Sequence, residues 1–153
     1  MKIYYGPTET PNMCISNISR DMVPARIKKF DGKEIQAWKN AYIKMGRGKW
    51  RMSQKCVVEL LIPARAIRFQ PRNKKCRASS AYVVAIYELG GKRENRKLGR
   101  KTKRRIAYSR HDTAFKYVVG KKVKPTLPFN RDHREECSTG IHFFLTAKEA
   151  ANY

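Results

Sequence analysis

From Ala41 onward the chain alternates short apolar runs with Gly, Pro and clusters of basic residues, a pattern that predicts strands separated by turns. The runs place strands at Ala41–Met45, Cys56–Ile62, Ala81–Leu89, Arg105–Ser109, Phe115–Val119 and Gly140–Leu145. The stretch Ala81-Tyr82-Val83-Val84-Ala85-Ile86-Tyr87 is the longest and the richest in β-branched side chains, so it is expected inside the sheet rather than at an edge. Pro63 ends the second run, and Ala64–Phe69 has room for a single turn before Pro71 and the basic stretch Arg72-Asn73-Lys74-Lys75. At the C-terminus Thr146 and Glu149 stand at capping-box spacing, which predicts a short helix from Ala147 to about Asn152.

Residues 1–40 read differently. Pro7, Pro11 and Pro24 and the turn-forming Asp31-Gly32 interrupt apolar residues that follow no sustained period, among them Tyr4, Tyr5, Ile15, Ile18, Ile27 and Phe30. A freely solvated tail would carry fewer such residues, so the segment is expected to be an extended arm that packs on a partner. The predicted organisation is an N-terminal arm over 1–40 and one β-rich domain over 41–153. The fold class is mainly β (α+β), a small mixed sheet or partial barrel with a short C-terminal helix.

Composition sharpens this reading. The 153 residues amount to one domain, and 41% apolar content is enough for a core. No apolar run approaches the ~20 residues of a membrane span, and Met1–Tyr5 leads into Gly6-Pro7 without a signal-peptide core, which predicts a soluble, unsecreted protein. Charge changes the picture most. There are 35 Lys and Arg against 12 Asp and Glu, a net charge of +23, and residues 1–40 supply only 7 of the basic and 4 of the acidic side chains. A charge of that size repels itself and calls for a polyanion or an acidic partner.

The densest cationic stretch is 92–105, with nine basic residues: Lys92, Arg93, Arg96, Lys97, Arg100, Lys101, Lys103, Arg104 and Arg105. It follows Gly90-Gly91 and precedes a strand, so it reads as a basic insertion loop, an extended hairpin loop projecting from the sheet. Cations at that density release counterions on meeting phosphates and bind them without regard to sequence. No aromatic residue lies between Gly90 and Ile106 to stack on a base, which argues against single-strand or base-specific readout. Acidic protein surfaces and anionic lipid headgroups remain alternative partners.

The sequence offers little for catalysis. Cys14, Cys56, Cys76 and Cys137 are 42, 20 and 61 residues apart, with no close pair of the kind structural zinc sites use, so no metal and no cofactor is expected. The histidines are His111, His133 and His142, and chain neighbours such as Asp112 do not orient an imidazole as a general base would require. In a strand Ile141-His142-Phe143, His142 points away from its two neighbours, toward a partner or a structural hydrogen bond.

Three stretches together resemble a known family: Lys75-Cys76-Arg77-Ala78; Phe115-Lys116-Tyr117-Val118-Val119-Gly120-Lys121-Lys122-Val123-Lys124-Pro125; and Glu136-Cys137-Ser138-Thr139-Gly140-Ile141-His142-Phe143-Phe144-Leu145-Thr146, with Glu149-Ala150 and Tyr153 after it. The family is an uncharacterised domain that recurs in large double-stranded DNA viruses and phages, often beside pentapeptide repeats. The resemblance spans about residues 41–153 and implies a viral context with no established activity. Cys76 and Cys137 both fall in its motifs, which makes them a candidate disulfide after particle assembly, with two buried thiols as the alternative. Gly140-Ile141-His142-Phe143-Phe144 before a short helix also resembles the strand-then-helix of ADP-ribosyltransferase folds, but the early strands lack the His that such activity needs and no late Glu follows.

These readings converge on a non-enzymatic virion component. The expectation is a minor capsid protein of a large icosahedral DNA virus, assembled in the host cytoplasm. Its partners would be the major capsid protein and other minor capsid proteins, with genomic DNA or an anionic inner-membrane surface as further contacts and no small-molecule substrate. A DNA-binding, genome-packaging virion protein is the alternative.

Overall fold

A computed structural model describes residues 34–46, 52–69, 75–112, 114–132 and 138–153. Among the described residues the strands are β1 (Ile35–Met45), β2 (Met52–Ile62), β3 (Arg68–Phe69), β4 (Cys76–Ala78), β5 (Ala81–Lys92), β6 (Asn95–Lys101), β7 (Ile106–Tyr108), β8 (Lys116–Val118), β9 (Lys122–Val123) and β10 (Ile141–Phe143), and the helix is α1 (Ala147–Asn152). The protein is mainly β with a short C-terminal helix, as its alternating runs predict. The strands form a seven-stranded sheet ordered β6-β5-β2-β1-β7-β8, with β9 also on β5, and a three-stranded sheet ordered β10-β4-β3. All pairings between strands are antiparallel.

Alternation decides which sheet face meets what. Ile35, Ala37, Ala41 and Ile43 on β1, Cys56, Val58, Leu60 and Ile62 on β2, and Val83 on β5 point to one face and build the main core with Cys76, Ala78, Ile141 and Phe143 of the small sheet. The opposite face carries Trp38 and Val57, which pack with Phe144, Ala150 and Ala151 and with the half-buried Tyr87, Leu89 and Leu98. The large sheet is thus covered by the small sheet on one side and by α1 on the other. β2 is accordingly buried on both faces at Cys56-Val57-Val58. β5 lies inside the sheet over its β-branched run, with β2 along Tyr82–Glu88 on one edge and β9 then β6 on the other, while Leu89–Lys92 pair with β6 alone.

Three expectations are corrected. β1 begins at Ile35 rather than Ala41, so residues 35–40 belong to the sheet and not to an arm; Ile35, Ala37 and Trp38 are buried, which a period-2 reading misses because Lys39 and Asn40 are buried beside them. Residues 1–33, including Tyr4, Tyr5, Ile15, Ile18, Ile27 and Phe30 of the expected arm, lie outside the described residues. The stretch 92–105 is not a long loop: Lys92 pairs with Asn95 across the two-residue turn Arg93-Glu94, and β6 runs back along β5 as far as Tyr87↔Lys101. Gly90 and Gly91 continue the strand instead of ending it, and Leu98 gives β6 an apolar anchor in the cluster under α1. Finally, only Ala64–Ala66 turns, with the Ala66 amide donating to the Pro63 carbonyl at 3.1 Å, while Arg68–Phe69 forms β3.

α1 is capped as the Thr146/Glu149 spacing predicts. Thr146 Oγ1 accepts from the Glu149 amide at 3.2 Å and donates to Glu149 Oε1 at 3.0 Å, so the carboxylate holds the capping hydroxyl.

Candidate functional site

Two cationic regions stand out, one legible in the sequence and one assembled by the fold. The first is the β5–β6 hairpin and the segment that follows it. Lys92 ends β5, Arg93 lies in the turn, Arg96, Lys97, Arg100 and Lys101 lie on β6, and Lys103, Arg104 and Arg105 lead into β7. All but Arg96 are exposed. Arg100 pairs with Glu88 at 3.7 Å, a surface ion pair that adds little to stability, and Arg105 Nη2 donates to the Val119 carbonyl at 3.0 Å. The hairpin is held rather than loose. Thr102 donates its amide to the Ile86 carbonyl at 2.9 Å. Asn152 of α1 accepts from the Arg96 amide at 2.9 Å and donates to the Arg96 carbonyl at 2.7 Å, occupying the open edge of β6.

The second region is a cleft of about 570 Å³ where the two sheets meet. The meeting point is a bridge in which Trp38 and Phe144 exchange backbone hydrogen bonds. β1 contributes Lys39 and Asn40 to the cleft, β10 contributes His142, and the β7–β8 turn contributes Arg110 and His111. Lys75, just before β4, and the terminal Tyr153 form its rim: Lys75 Nζ donates to the Tyr153 hydroxyl at 3.2 Å and lies 5.1 Å from the ring centroid. That ring in turn packs 5.0 Å from Phe144. The turn is closed on itself, because the Ser109 amide donates to the Phe115 carbonyl at 3.0 Å and Asp112 Oδ1 accepts from the Ala114 amide at 3.0 Å. Partial desolvation, with Lys39, Lys75 and Arg110 nearby, holds His111 below the usual imidazole range, so the cleft disfavours one more positive charge.

The remaining wall of the cleft is organised by Arg77, a fully buried residue of β4. Its guanidinium donates to the carbonyls of Asn130, of Thr139 at 3.0 Å and of Asp132 at 2.6 Å, and its Cζ lies 4.8 and 4.9 Å from the rings of Phe69 and Phe129. Thr139 Oγ1 donates to the Pro128 carbonyl at 2.6 Å and accepts from the Asn130 amide at 2.8 Å, tying the same segments together. The motifs around residues 75–78 and 136–146 therefore meet in space, through β4–β10 pairing of Cys76↔Phe143, Arg77↔His142 and Ala78↔Ile141. Cys76 is buried in that pairing; Cys137, its candidate disulfide partner, lies outside the described residues, as do Cys14 and His133.

The fold puts His111 and His142, which the sequence leaves unconnected, on one cleft. Arg77, Lys39, Lys75 and Arg110 were missed as site residues; a lone Arg inside the apolar-flanked run Cys76–Ala78 was the available signal for the first. Cys56, at the centre of β2, is pushed up to about 12 by burial, which makes it an inert core thiol. Among the described residues no cluster of three or more His, Cys, Asp or Glu is placed to hold a metal ion, and no helix is long and apolar enough to cross a membrane.

The architecture defines a small antiparallel β domain that carries two basic surfaces. The chain belongs to a family of unknown function (DUF5758), whose model matches residues 25–150 and so begins earlier than the stretch from 41 that carries the sequence motifs. It is similar to the uncharacterized protein L223 of Acanthamoeba polyphaga mimivirus, with 34% identity over 103 residues, which is 63% of this chain and 61% of that protein. The match thus spans about three-fifths of that relative's length. That relative comes from a large DNA virus, which is consistent with a viral context for this domain. No solved structure gives a significant match.

Proposed function

We propose that this chain is a structural, non-catalytic virion protein of a large DNA virus, a minor capsid protein that holds acidic neighbours through its cationic hairpin. The observation that carries the reading is the row of exposed cations on β5, β6 and the segment to Arg105, presented on an edge strand that α1 holds in place. Fixing the strand removes much of the ordering cost that a floppy basic loop would meet on binding. Partners of suitable chemistry are the acidic surfaces of the major capsid protein and of other minor capsid proteins, and the site of action is the virion shell, reached from the host cytoplasm during assembly. The viral relative supports the context.

Cross-linking of intact particles with an amine-reactive reagent, read by mass spectrometry, tests this directly. Lys92, Lys97, Lys101 and Lys103 are expected to cross-link to capsid proteins. Links confined to this chain itself would remove the support for a capsid role.

The same cations also suit a phosphate backbone, so a genome-packaging role is the second reading. It predicts that the protein leaves disrupted particles with the DNA and is released by nuclease, whereas a shell component stays with the capsid fraction.

A further inference from the structure

The cleft at the junction of the two sheets is a different surface from the hairpin, and its chemistry is more selective. Three features converge there. Lys75 and Arg110 face it from two separate segments, and among the described residues no carboxylate forms an ion pair with either. His111 stands beside them, and Ser109, Thr126 and Thr139 add hydroxyl groups to the lining. Asn40, 4% exposed, and Ile141, 2% exposed, are the buried residues of its lining, so part of the wall is packed core rather than mobile surface.

We propose that this cleft binds a small phosphate-bearing ligand, with Lys75 and Arg110 as the charged contacts and His111 and the hydroxyl groups as hydrogen-bonding partners. Arg gives a planar, bidentate contact to a phosphate and Lys a mobile point charge, a complementary pair for one anionic group. A volume of about 570 Å³ is in the range of small-molecule sites and is larger than a lone phosphate fills. Phe115 and Tyr153 line the same space and supply aromatic surface for whatever carries the phosphate. Partial desolvation, and after it Lys39, Lys75 and Arg110, lowers the pKa of His111, and a bound anion would oppose those charges; Asp112, Tyr117, His142 and Tyr153 are the further titratable groups lining the space.

The test is calorimetric titration of the full-length protein with pyrophosphate and, separately, with ADP, at physiological salt so that diffuse binding to the hairpin is screened. One saturable site is expected. Its affinity should fall at least ~10-fold, about 1.4 kcal/mol, in Lys75→Gln/Arg110→Gln, and should hold in Lys97→Gln/Lys101→Gln. If the double variant does not melt cooperatively, Arg110→Gln alone, in an exposed turn, carries the comparison. ADP binding more tightly than pyrophosphate would assign the aromatic wall to the carrier, and equal affinities would leave the phosphate as the recognised group; both support the site. No saturable binding, affinity untouched by the cleft variants, or affinity lost in the hairpin variant would each overturn it.

Discussion

Trp38 and Phe144 exchange both of their backbone hydrogen bonds, the Trp38 amide to the Phe144 carbonyl at 2.9 Å and the Phe144 amide to the Trp38 carbonyl at 2.7 Å. This one residue pair carries the chain from the small sheet onto the large one and points both side chains into the cluster beneath α1. Replacing Phe144 by Ala keeps the backbone bonds but empties the centre of that cluster and removes the surface that supports Tyr153. Urea unfolding of Phe144→Ala should show a loss of about 3–5 kcal/mol. A loss under ~1 kcal/mol would mean that the cluster under α1 contributes little to holding the fold.

Arg77 should tolerate no substitute. Its two terminal nitrogens serve three carbonyls from segments that are otherwise joined by short side-chain bonds, and a Lys offers one ammonium in place of a fork. Arg77→Met and Arg77→Lys are both expected to cost about 3–5 kcal/mol, the first by leaving carbonyls unsatisfied and the second by burying a charge with fewer donors. Thermal melts are the measurement, and a Lys variant as stable as wild type would contradict the fork geometry.

Gly99 lies in β6 where the strand approaches a bulge in β5 between Tyr87 and Leu89. A Cβ there would stand 2.5 Å from the Glu88 carbonyl oxygen and 3.0 Å from the Leu89 carbonyl carbon, both backbone atoms with little room to give. Gly99→Ala should therefore loosen the hairpin selectively. Amide exchange is expected to rise for Leu98 and Thr102 while β1 and β2 keep their protection. Uniform protection in the variant would show that the approach relaxes without strain.

Alkaline solution should destabilise the fold. Cys56 titrates near its ordinary 9.0 when unfolded but only at about 12 when folded, because burial disfavours the thiolate, and burial likewise raises the fully enclosed Tyr117 phenol. Between those limits the unfolded chain holds fewer protons, so stability present below pH ~9 falls as pH rises, by up to ~1.4 kcal/mol per pH unit for each group. Unfolding midpoints measured from about pH 8 to about pH 11 should decline, and Cys56→Ala should flatten part of that slope.

Duplex DNA offers a salt-dependent readout of the hairpin, whatever it meets in the particle. Binding should be independent of sequence and should weaken steeply with salt. Neutralising Lys97, Lys101 and Arg104 with Gln should reduce the slope of log K against log salt by up to ~3, near one for each phosphate that no longer meets a cation. An unchanged slope would move the DNA to another part of the basic surface.

Apolar runs made β2, β5, the C-terminal half of β1 and the short β7, β8 and β10 visible, and left β3, β4, β6 and β9 hidden. The run that became β2 announces itself because it buries Cys56-Val57-Val58 in a row, β5 does so by its length and β-branched content, and α1 follows from the two side chains of its cap. β3, β4 and β9 are two or three residues long, and so brief a segment carries no period; they exist because β10 and β5 offer edges to pair with. β6 was hidden for another reason. Its Lys and Arg side chains are those of a solvated loop, and only Leu98 and Gly99 betray a strand that pairs through its backbone. The cationic hairpin was legible as composition, since its residues are contiguous. The cleft was not, because Lys39, Lys75, Arg110 and His142 are far apart in the chain and converge only when the small sheet joins the large one.

The carboxamide of Asn152 has the donor and acceptor of a peptide unit, and it presents both to Arg96 as a neighbouring strand would. An edge strand closed at Arg96 in this way, with Lys97 and Lys101 further along it, is a poor template for another chain to extend. At Arg96 the sheet therefore ends against a side chain that does the work of a further strand, and the row of backbone groups stops there without recruiting one.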